Sequence, residues 1–415
     1  MADASISWGG WEPAVRDDPF QLFAEMQAQG PAHQVRLADG HEAWLVVGHD
    51  AARQALSDAR LSKDMFAALA GDRDVVAEGL PGRAFSRHML NVDPPDHTRL
   101  RKLVAPAFMP SRIAALEPSI QRTADELLSR LEAEGPDAVV DLVSGFAHPL
   151  PFSVISELLG VPAVDRSMLH EWFRTLLAPW AGEPPPEAVA ASDGIVGYLE
   201  HLVDTKRRDP GDDLVSVLLS ASDDGDRLSQ QELLSSLFQL IVAGHDTTTS
   251  LIGNGVVDLL DHPDQLRLLQ ADLCRVPEAV EELMRFTAPV PHATFRMTSE
   301  PVTVDGFEIP ARRQVLVCVA AANRDPSAFP DADRLDLRRS RRPHLSFGHG
   351  IHFCLGAPLA RLEARVAFRT LLGRFAQLRL AVPRADLAWT HGDGLVLRGL
   401  ASLPVILGPS TALAH

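Results

Sequence analysis

One stretch limits what this chain can fold into more than any other. Ser229-Gln-Gln-Glu232 has the spacing of a capping box, in which side chains and backbone N–H groups satisfy each other at a helix start. From there an almost uninterrupted helical pattern reaches Leu260, about thirty residues, longer than an ordinary globular helix. Leu233, Leu234, Leu237, Phe238, Leu240, Ile241 and Val242 cover nearly all of its sides, so the helix is expected to be central and buried. In its middle sits Ala243-Gly-His-Asp-Thr-Thr-Thr-Ser250. A glycine, an acid and three threonines suit a buried helix poorly. A buried Asp246 is costly unless it has a partner or a task. The stretch reads either as a helix kink stabilised by threonine back-bonding or as a functional site.

The rest of the chain sets the context. It has 415 residues, 46% of them hydrophobic, which is ample material for a large core. No linker, repeat or low-complexity segment divides it, so residues 1–415 read as a single domain with loose termini at 1–16 and 408–415. The net charge is −16, from 55 acids against 39 bases, which suits neither nucleic acid nor an anionic membrane. The opening residues show no basic and apolar leader pattern, and apolar runs such as Val315 to Ala322 are too short to span a bilayer. Cys274, Cys318 and Cys354 are widely spaced and show no zinc-ligand pattern, so a reducing cytoplasm is the simplest compartment.

In chain order, Asp17-Asp18-Pro19 predicts a helix start and Gly30 its end. His33 to Leu37 and His41 to Val47 alternate around Asp39-Gly40 and predict a hairpin. Leu61 to Leu90 reads as a long binding loop. Pro94-Pro95 predicts a helix start that places His97 and Arg101 on one face, either an ordinary solvated face or a pair of donors for carboxylates. Helices are expected over Ser111 to Glu134, Pro151 to Leu159, Val164 to Leu177, Val189 to Lys206 and from Pro277. Short strands are expected over Ala293 to Val319 and Leu378 to Ile406.

Phe347 to Gly356, FGHGIHFCLG, carries the strongest chemical signal. Cys354 stands just before a helical pattern that opens at Ala357-Pro358. The positive end of a helix and its free N–H groups lower a thiol's pKa and favour a metal-binding thiolate. Gly348, Gly350 and Gly356 remove bulk, as a backbone lying against a flat ligand requires. A structural cysteine in a Gly-rich turn is the plainer alternative.

The spacing of Phe347, Gly350, His352, Cys354 and Gly356 resembles the haem-binding signature of the cytochrome P450 family. The resemblance extends from about Asp17 onward, with further motifs in family order. It implies a mainly α fold with small β-sheets (α+β), the cytochrome P450 fold, with a long central helix over the haem. It implies haem b (iron protoporphyrin IX) as cofactor, with Cys354 as proximal ligand. Phe347, Gly348 and Gly356 would surround that ligand. His97, Arg101, Arg296 and His352 match residues that hold the haem propionates. Ala243 and Gly244 would leave room for dioxygen, and Asp246 and Thr247 would supply protons. Glu282 and Arg285, about seventy residues before the cysteine, match the family's structural ion pair, with Arg334 at the place of its third partner.

The resemblance further implies a monooxygenase that inserts one oxygen atom of O2 into a small molecule. Its substrate would be bulky and largely apolar, such as a polyketide, macrolide or other secondary metabolite. The segments Leu61 to Leu90, Val164 to Val189 and Pro289 to Phe295 would line its pocket. Two electrons must come from outside, because the chain has no flavin, nicotinamide or iron–sulfur fingerprint. A soluble ferredoxin with its reductase is the expected donor. The arginines between Arg334 and Arg342 are either its docking patch or a solvated loop. Epoxidation, oxidative coupling, peroxide-driven chemistry and a non-enzymatic haem-thiolate sensor are the competing readings. The Asp246-Thr247 pair argues against the peroxide route, which needs no proton relay.

Overall fold

The computed structural model describes residues 6–7, 17–37, 41–64, 85, 87–177, 184–221, 227–340, 342–390 and 397–411. The N-terminal part alternates β1 (Ile6–Ser7), α1 (Phe20–Gln29), β2 (Ala32–Arg36), β3 (Glu42–Val46), α2 (His49–Ser57) and β4 (Leu61–Ser62). Helices then dominate: α3 (Asp96–Val104), α4 (Pro110–Ala115), α5 (Glu117–Glu132), the strand β5 (Val139–Asp141), α6 (Pro149–Leu158), α7 (Arg166–Leu176), α8 (Pro186–Arg208), α9 (Leu214–Ser220), α10 (Gln230–Asp261), α11 (Pro263–Ala271) and α12 (Val276–Thr287). Strands β6 (Arg296–Thr298), β7 (Val302–Val304), β8 (Phe307–Ile309) and β9 (Gln314–Val317) precede α13 (Val319–Ala322) and α14 (Ala357–Arg374). The chain closes with β10 (Arg379–Leu380), β11 (Trp389–Thr390), β12 (Gly399–Leu400) and β13 (Pro404–Ile406). A six-stranded sheet of order β1-β2-β3-β9-β6-β4 lies beside the helical body. The expected mainly α architecture with small sheets is what forms.

Several expectations shift in detail. Helix α1 starts at Phe20 with Pro19 as its cap, and no aspartate side chain caps it. The hairpin forms as β2 and β3, with Leu37 N–H donating to His41 at 2.8 Å, while its Asp39-Gly40 turn lies outside the described residues. The helix expected over Ser111 to Glu134 is two, broken at Leu116. Pro118 explains the break, since it lacks an N–H and its ring opposes the carbonyl four residues back. The termini are less loose than expected. Ile6–Ser7 pairs in parallel with β2, Gly408 N–H donates to Pro136 and Thr411 N–H donates to Arg374. Most of the expected loop between Leu61 and Leu90 falls outside the described residues, but Leu61–Ser62 is a strand paired with β6.

Helix α10 is the axis of the helical body. Its capping box forms as expected: Ser229 Oγ accepts from Glu232 N–H at 3.2 Å, and the Glu232 carboxylate accepts from Ser229 N–H at 2.8 Å. Glu232 also pairs with Arg99 of α3, so the cap ties two helices together. The 32 residues of α10 span about 48 Å at 1.5 Å per residue. Helices α6, α12 and α14 pack around it. Against α14 the approach is so close that a Cβ on Gly255 would lie 2.6 Å from Phe368.

Glu363 of α14 is fully buried near Thr248 of α10, and neither of its carboxylate oxygens has a hydrogen-bond partner among the described residues. Burial pushes its pKa well above the ordinary carboxylate value, with Thr248 opposing. A raised folded-state pKa makes this group's contribution fully present below the unfolded value of about 4.3 and lost as pH rises toward the folded one. Glu363→Gln cannot ionise in either state. In thermal unfolding it is expected to raise Tm relative to wild type more near pH 8 than near pH 5. An equal change at both pH values would show that Glu363 is not held neutral.

Candidate active site

The Cys354 loop is built on backbone hydrogen bonds. Cys354 N–H donates to Phe347 at 2.9 Å, Phe353 N–H to Gly350 at 3.1 Å and Gly348 N–H to Leu345 at 2.8 Å. Gly350 has φ +74°, and a Cβ there would lie 2.8 Å from the Leu56 carbonyl of α2. No other residue satisfies both constraints. Gly348 also turns at positive φ, +71°. A Cβ on Gly356 would sit 3.9 Å from Cys354 Sγ, so this glycine keeps the thiol's flank open. The helix start is present as expected: against the opposing effect of desolvation, the Gly356 and Ala357 N–H groups, with Arg101 and Arg361, pull the thiol toward its ionised form.

Around this loop the fold gathers positive charge. His97 of α3 is buried, and its ring stands 4.4 Å from that of His352. Arg101, one turn on, donates to the Phe353 carbonyl at 2.7 Å. Arg296 of β6 is buried and donates to the Thr294 carbonyl at 3.3 Å. All four sequence-selected donors therefore belong to one neighbourhood. A fifth basic group here is Lys63. It follows β4, is 4% exposed, and donates to Thr294 Oγ1 at 2.6 Å and the Phe295 carbonyl at 2.8 Å. A lone lysine after a two-residue strand has no sequence signature. Burial, with Arg296 adding repulsion, lowers the Lys63 pKa to about 7. Burial, then His97, Arg296, Lys63 and Arg101, lower that of His352 to about 3. Asp93 is the acid that opposes the shifts at Lys63, His97 and Arg296. Both ring nitrogens of His97 and Nε2 of His352 lack hydrogen-bond partners among the described residues.

The middle of α10 combines both readings of its sequence. Thr247 Oγ1 donates back to the Ala243 carbonyl at 2.9 Å, the expected back-bond. Yet Ala243 is exposed and Thr247 half-buried in a helix otherwise enclosed by side chains, so this face borders open space. Asp246 has a partner, as its burial required: its Oδ1 lies 3.1 Å from His245 Nε2 and 3.9 Å from His148 Nε2. Burial would raise its pKa, but His245, His148 and His170 together hold it below the usual carboxylate value. A Cβ on Gly244 would lie 3.1 Å from Ile155, so this glycine also lets α6 approach.

A buried ion knot supports the loop from behind. Arg285 Nε and Nη2 each donate to Glu282 at 2.8 Å. The remaining guanidinium hydrogens reach the carbonyls of Asn323, Ala332 and Arg334. The third charged partner is Arg339, whose Nε donates to Glu282 at 3.0 Å. This corrects the expectation of Arg334, which contributes its carbonyl alone to this knot. The run of arginines is therefore not one solvated patch. Arg339 is engaged, Arg342 donates to the Ala328 carbonyl, and Arg341 lies outside the described residues.

Comparison with known proteins decides the family. The family model described as "Cytochrome P450" matches residues 11–384. The chain belongs to the cytochrome P450 family. It is 47% identical to the cytochrome P450 monooxygenase PikC of Streptomyces venezuelae, over 94% of this chain and 91% of that one. It is 44% identical to 6-deoxyerythronolide B hydroxylase of Saccharopolyspora erythraea, over 94% and 96% of the two chains. The solved structure of the Bacillus subtilis 168 bacillaene polyketide synthase P450, PksS, superposes with a TM-score of 0.88 at 38% identity, covering 96% of this chain and 99% of that one.

This P450 is thus a monooxygenase with haem iron as its cofactor, and its residues fit that group. A cluster of buried cations opposed by Asp93, with orphaned imidazole nitrogens, suits a ligand bearing carboxylates. A thiol raised by burial is deprotonated outright by a coordinating metal ion. Among the described residues no helix is long and apolar enough to cross a membrane. Because Arg285 is 2% exposed and wholly hydrogen-bonded, Arg285→Ala strips Glu282 of its bidentate partner, leaving Arg339 alone, and removes the donor from three carbonyls. It is expected to lower unfolding free energy by about 3–5 kcal/mol, measured by urea denaturation. A loss under about 1 kcal/mol, the range of surface pairs, would show the knot to be dispensable.

Proposed function

We propose that this P450 hydroxylates a bulky, largely apolar small molecule, such as a polyketide, macrolide or other secondary metabolite. The observation that carries the reading is the accessible Ala243–Thr247 face, with Asp246 beside it, in the middle of a helix otherwise buried. Bound haem b supplies the oxygen-activating redox chemistry. Cys354 Sγ is its proximal ligand, with Phe347, Gly348 and Gly356 shaping the loop. His97, Arg101, Arg296 and His352, joined by Lys63, hold its carboxylates. Thr247 Oγ1, now bonded to Ala243, rotates to present its proton on the open face. Asp246 Oδ1 passes protons inward from the histidines beside it.

An apolar substrate is supported by the rings over α10. Phe85 stacks on Phe238 at 4.1 Å, and Phe173 of α7 lies 5.4 Å from Phe238. Of the expected pocket segments, His292 instead packs beside Phe23, and 178–183 lie outside the described residues. The named hydroxylation of 6-deoxyerythronolide B by a 44% identical relative supports the substrate class. We read a ferredoxin as the electron donor. Arg338, Arg342, Arg361 and Arg365 line a hollow of about 1180 Å³ next to the ion knot, together with Glu117, Glu278, Glu281 and Glu282. Arg361 is paired with Glu281, so Arg338, Arg342 and Arg365 are the arginines offered to an acidic partner. The net charge and the lack of an apolar spanning helix among the described residues support a cytoplasmic protein, and one hydrophobic cluster drawn from Phe85 to Leu407 supports a single domain.

The first test is the carbon monoxide spectrum of the reduced protein. A Soret band far to the red is expected, and Cys354→Ser should abolish it while the fold persists by circular dichroism. An imidazole-like band from folded wild-type protein would remove Cys354 as ligand. The second test measures product against reductant consumed. Asp246→Asn is expected to slow turnover by about 10²-fold, and Thr247→Ala to divert reductant into hydrogen peroxide. Unchanged coupling in both variants would defeat the proton-delivery roles. A sensor would consume no reductant with any substrate.

A further inference from the structure

His245 faces two acceptors at once. One ring nitrogen, Nδ1, lies 2.7 Å from the Ile241 carbonyl, and the other, Nε2, lies 3.1 Å from Asp246 Oδ1. A neutral imidazole carries one N–H and can satisfy one of these. With Nδ1–H on the carbonyl, the Nε2 lone pair points at a carboxylate, an arrangement that needs a positive charge between or upon them. An Nδ1–H held by a backbone carbonyl is also the usual support for a metal-ligating histidine. A second imidazole completes the set: His148 Nε2 is 3.9 Å from the same Asp246 oxygen. One donor atom from each of His148, His245 and Asp246 lies within 4.8 Å of the others. Donors of a tetrahedral zinc ion stand about 3.3 Å apart, given metal–ligand distances of about 2.0–2.2 Å. Modest side-chain movement would therefore close the set. His170 of α7 stands with its ring 4.5 Å from that of His148.

We propose that His148, His245 and Asp246 form a binding site for a divalent transition-metal cation of the zinc type, one that draws on the carboxylate assigned above to proton delivery. Two imidazoles and one carboxylate favour zinc over magnesium or calcium, which take oxygen ligands. A bound ion occupies Asp246 Oδ1, so, resting on the proton-delivery reading, it would act as an inhibitor of turnover. The metal-binding claim itself does not depend on that reading.

The test uses tag-free holoenzyme and zinc alone. Isothermal titration should show one strong site per chain. The zinc K-edge absorption spectrum should show nitrogen and oxygen ligands at about 2.0–2.1 Å with the multiple scattering of two imidazoles. His148→Ala suits the variant arm, since its side chain is partly reachable by solvent. It and Asp246→Asn should each weaken binding by at least about tenfold, with retained haem spectra as the folding control. No binding, unchanged affinity in both variants, or a sulfur shell at about 2.3 Å, which would point to the exposed Cys274, overturns the site. Zinc should also depress product formation in wild type, and in His148→Ala the fractional inhibition, taken against that variant's own zinc-free rate, should be smaller. Binding as described without inhibition would leave the metal site standing and refute Asp246 as proton carrier.

Discussion

The arrangement of this P450 depends on satisfying one buried guanidinium. Arg285 has no access to water, so its five N–H groups must find acceptors inside the protein. Glu282 takes two, and carbonyls of Asn323, Ala332 and Arg334 take the rest. Those carbonyls belong to the irregular segment between α13 and the cysteine loop. A segment with little regular structure of its own is thereby given one course. Asn323 then accepts from Leu345 N–H, Ser346 Oγ donates to Met284, and Gly348 N–H returns to Leu345. Cys354 is the end of that chain of bonds, and its position is inherited from the knot.

Electrostatics divide the site into two regions of different character. Beside the cysteine loop, Lys63, His97, Arg101, Arg296 and His352 crowd together, each with its pKa lowered first by burial. Such crowding is unfavourable in isolation and becomes favourable when carboxylates enter. On α10 the opposite holds. Asp246 is kept ionised by histidines that are themselves mostly buried, and His245 alone of these is shifted upward, toward its charged form. One region is rich in basic groups suited to carboxylates, and the other holds a balanced, titratable pair.

Much of this was legible in the sequence because its signals are local. The capping box of Ser229 and Glu232 and the Glu282–Arg285 pair each depend on residues within one turn of one another. They form wherever the element forms. The order of motifs from His97 to Cys354 likewise identified the family. Its meaning rested on resemblance, since spacing alone does not separate an HxxxR donor pair from a solvated face.

What the sequence by itself determined is therefore the set of elements and the identity of the chemical groups: a long buried helix with an Asp–Thr step, a cysteine before a helix, and donors spaced to share a face. What only the tertiary structure decided is who meets whom. Arg339 displaced Arg334 as the third partner because a loop of irregular backbone brings its guanidinium to Glu282. Lys63 joined the cations because β4 pairs with β6. Gly244 also serves packing because Ile155 of α6 meets α10 there. Contacts across hundreds of residues are set by the burial of whole faces, and no short window of sequence records them.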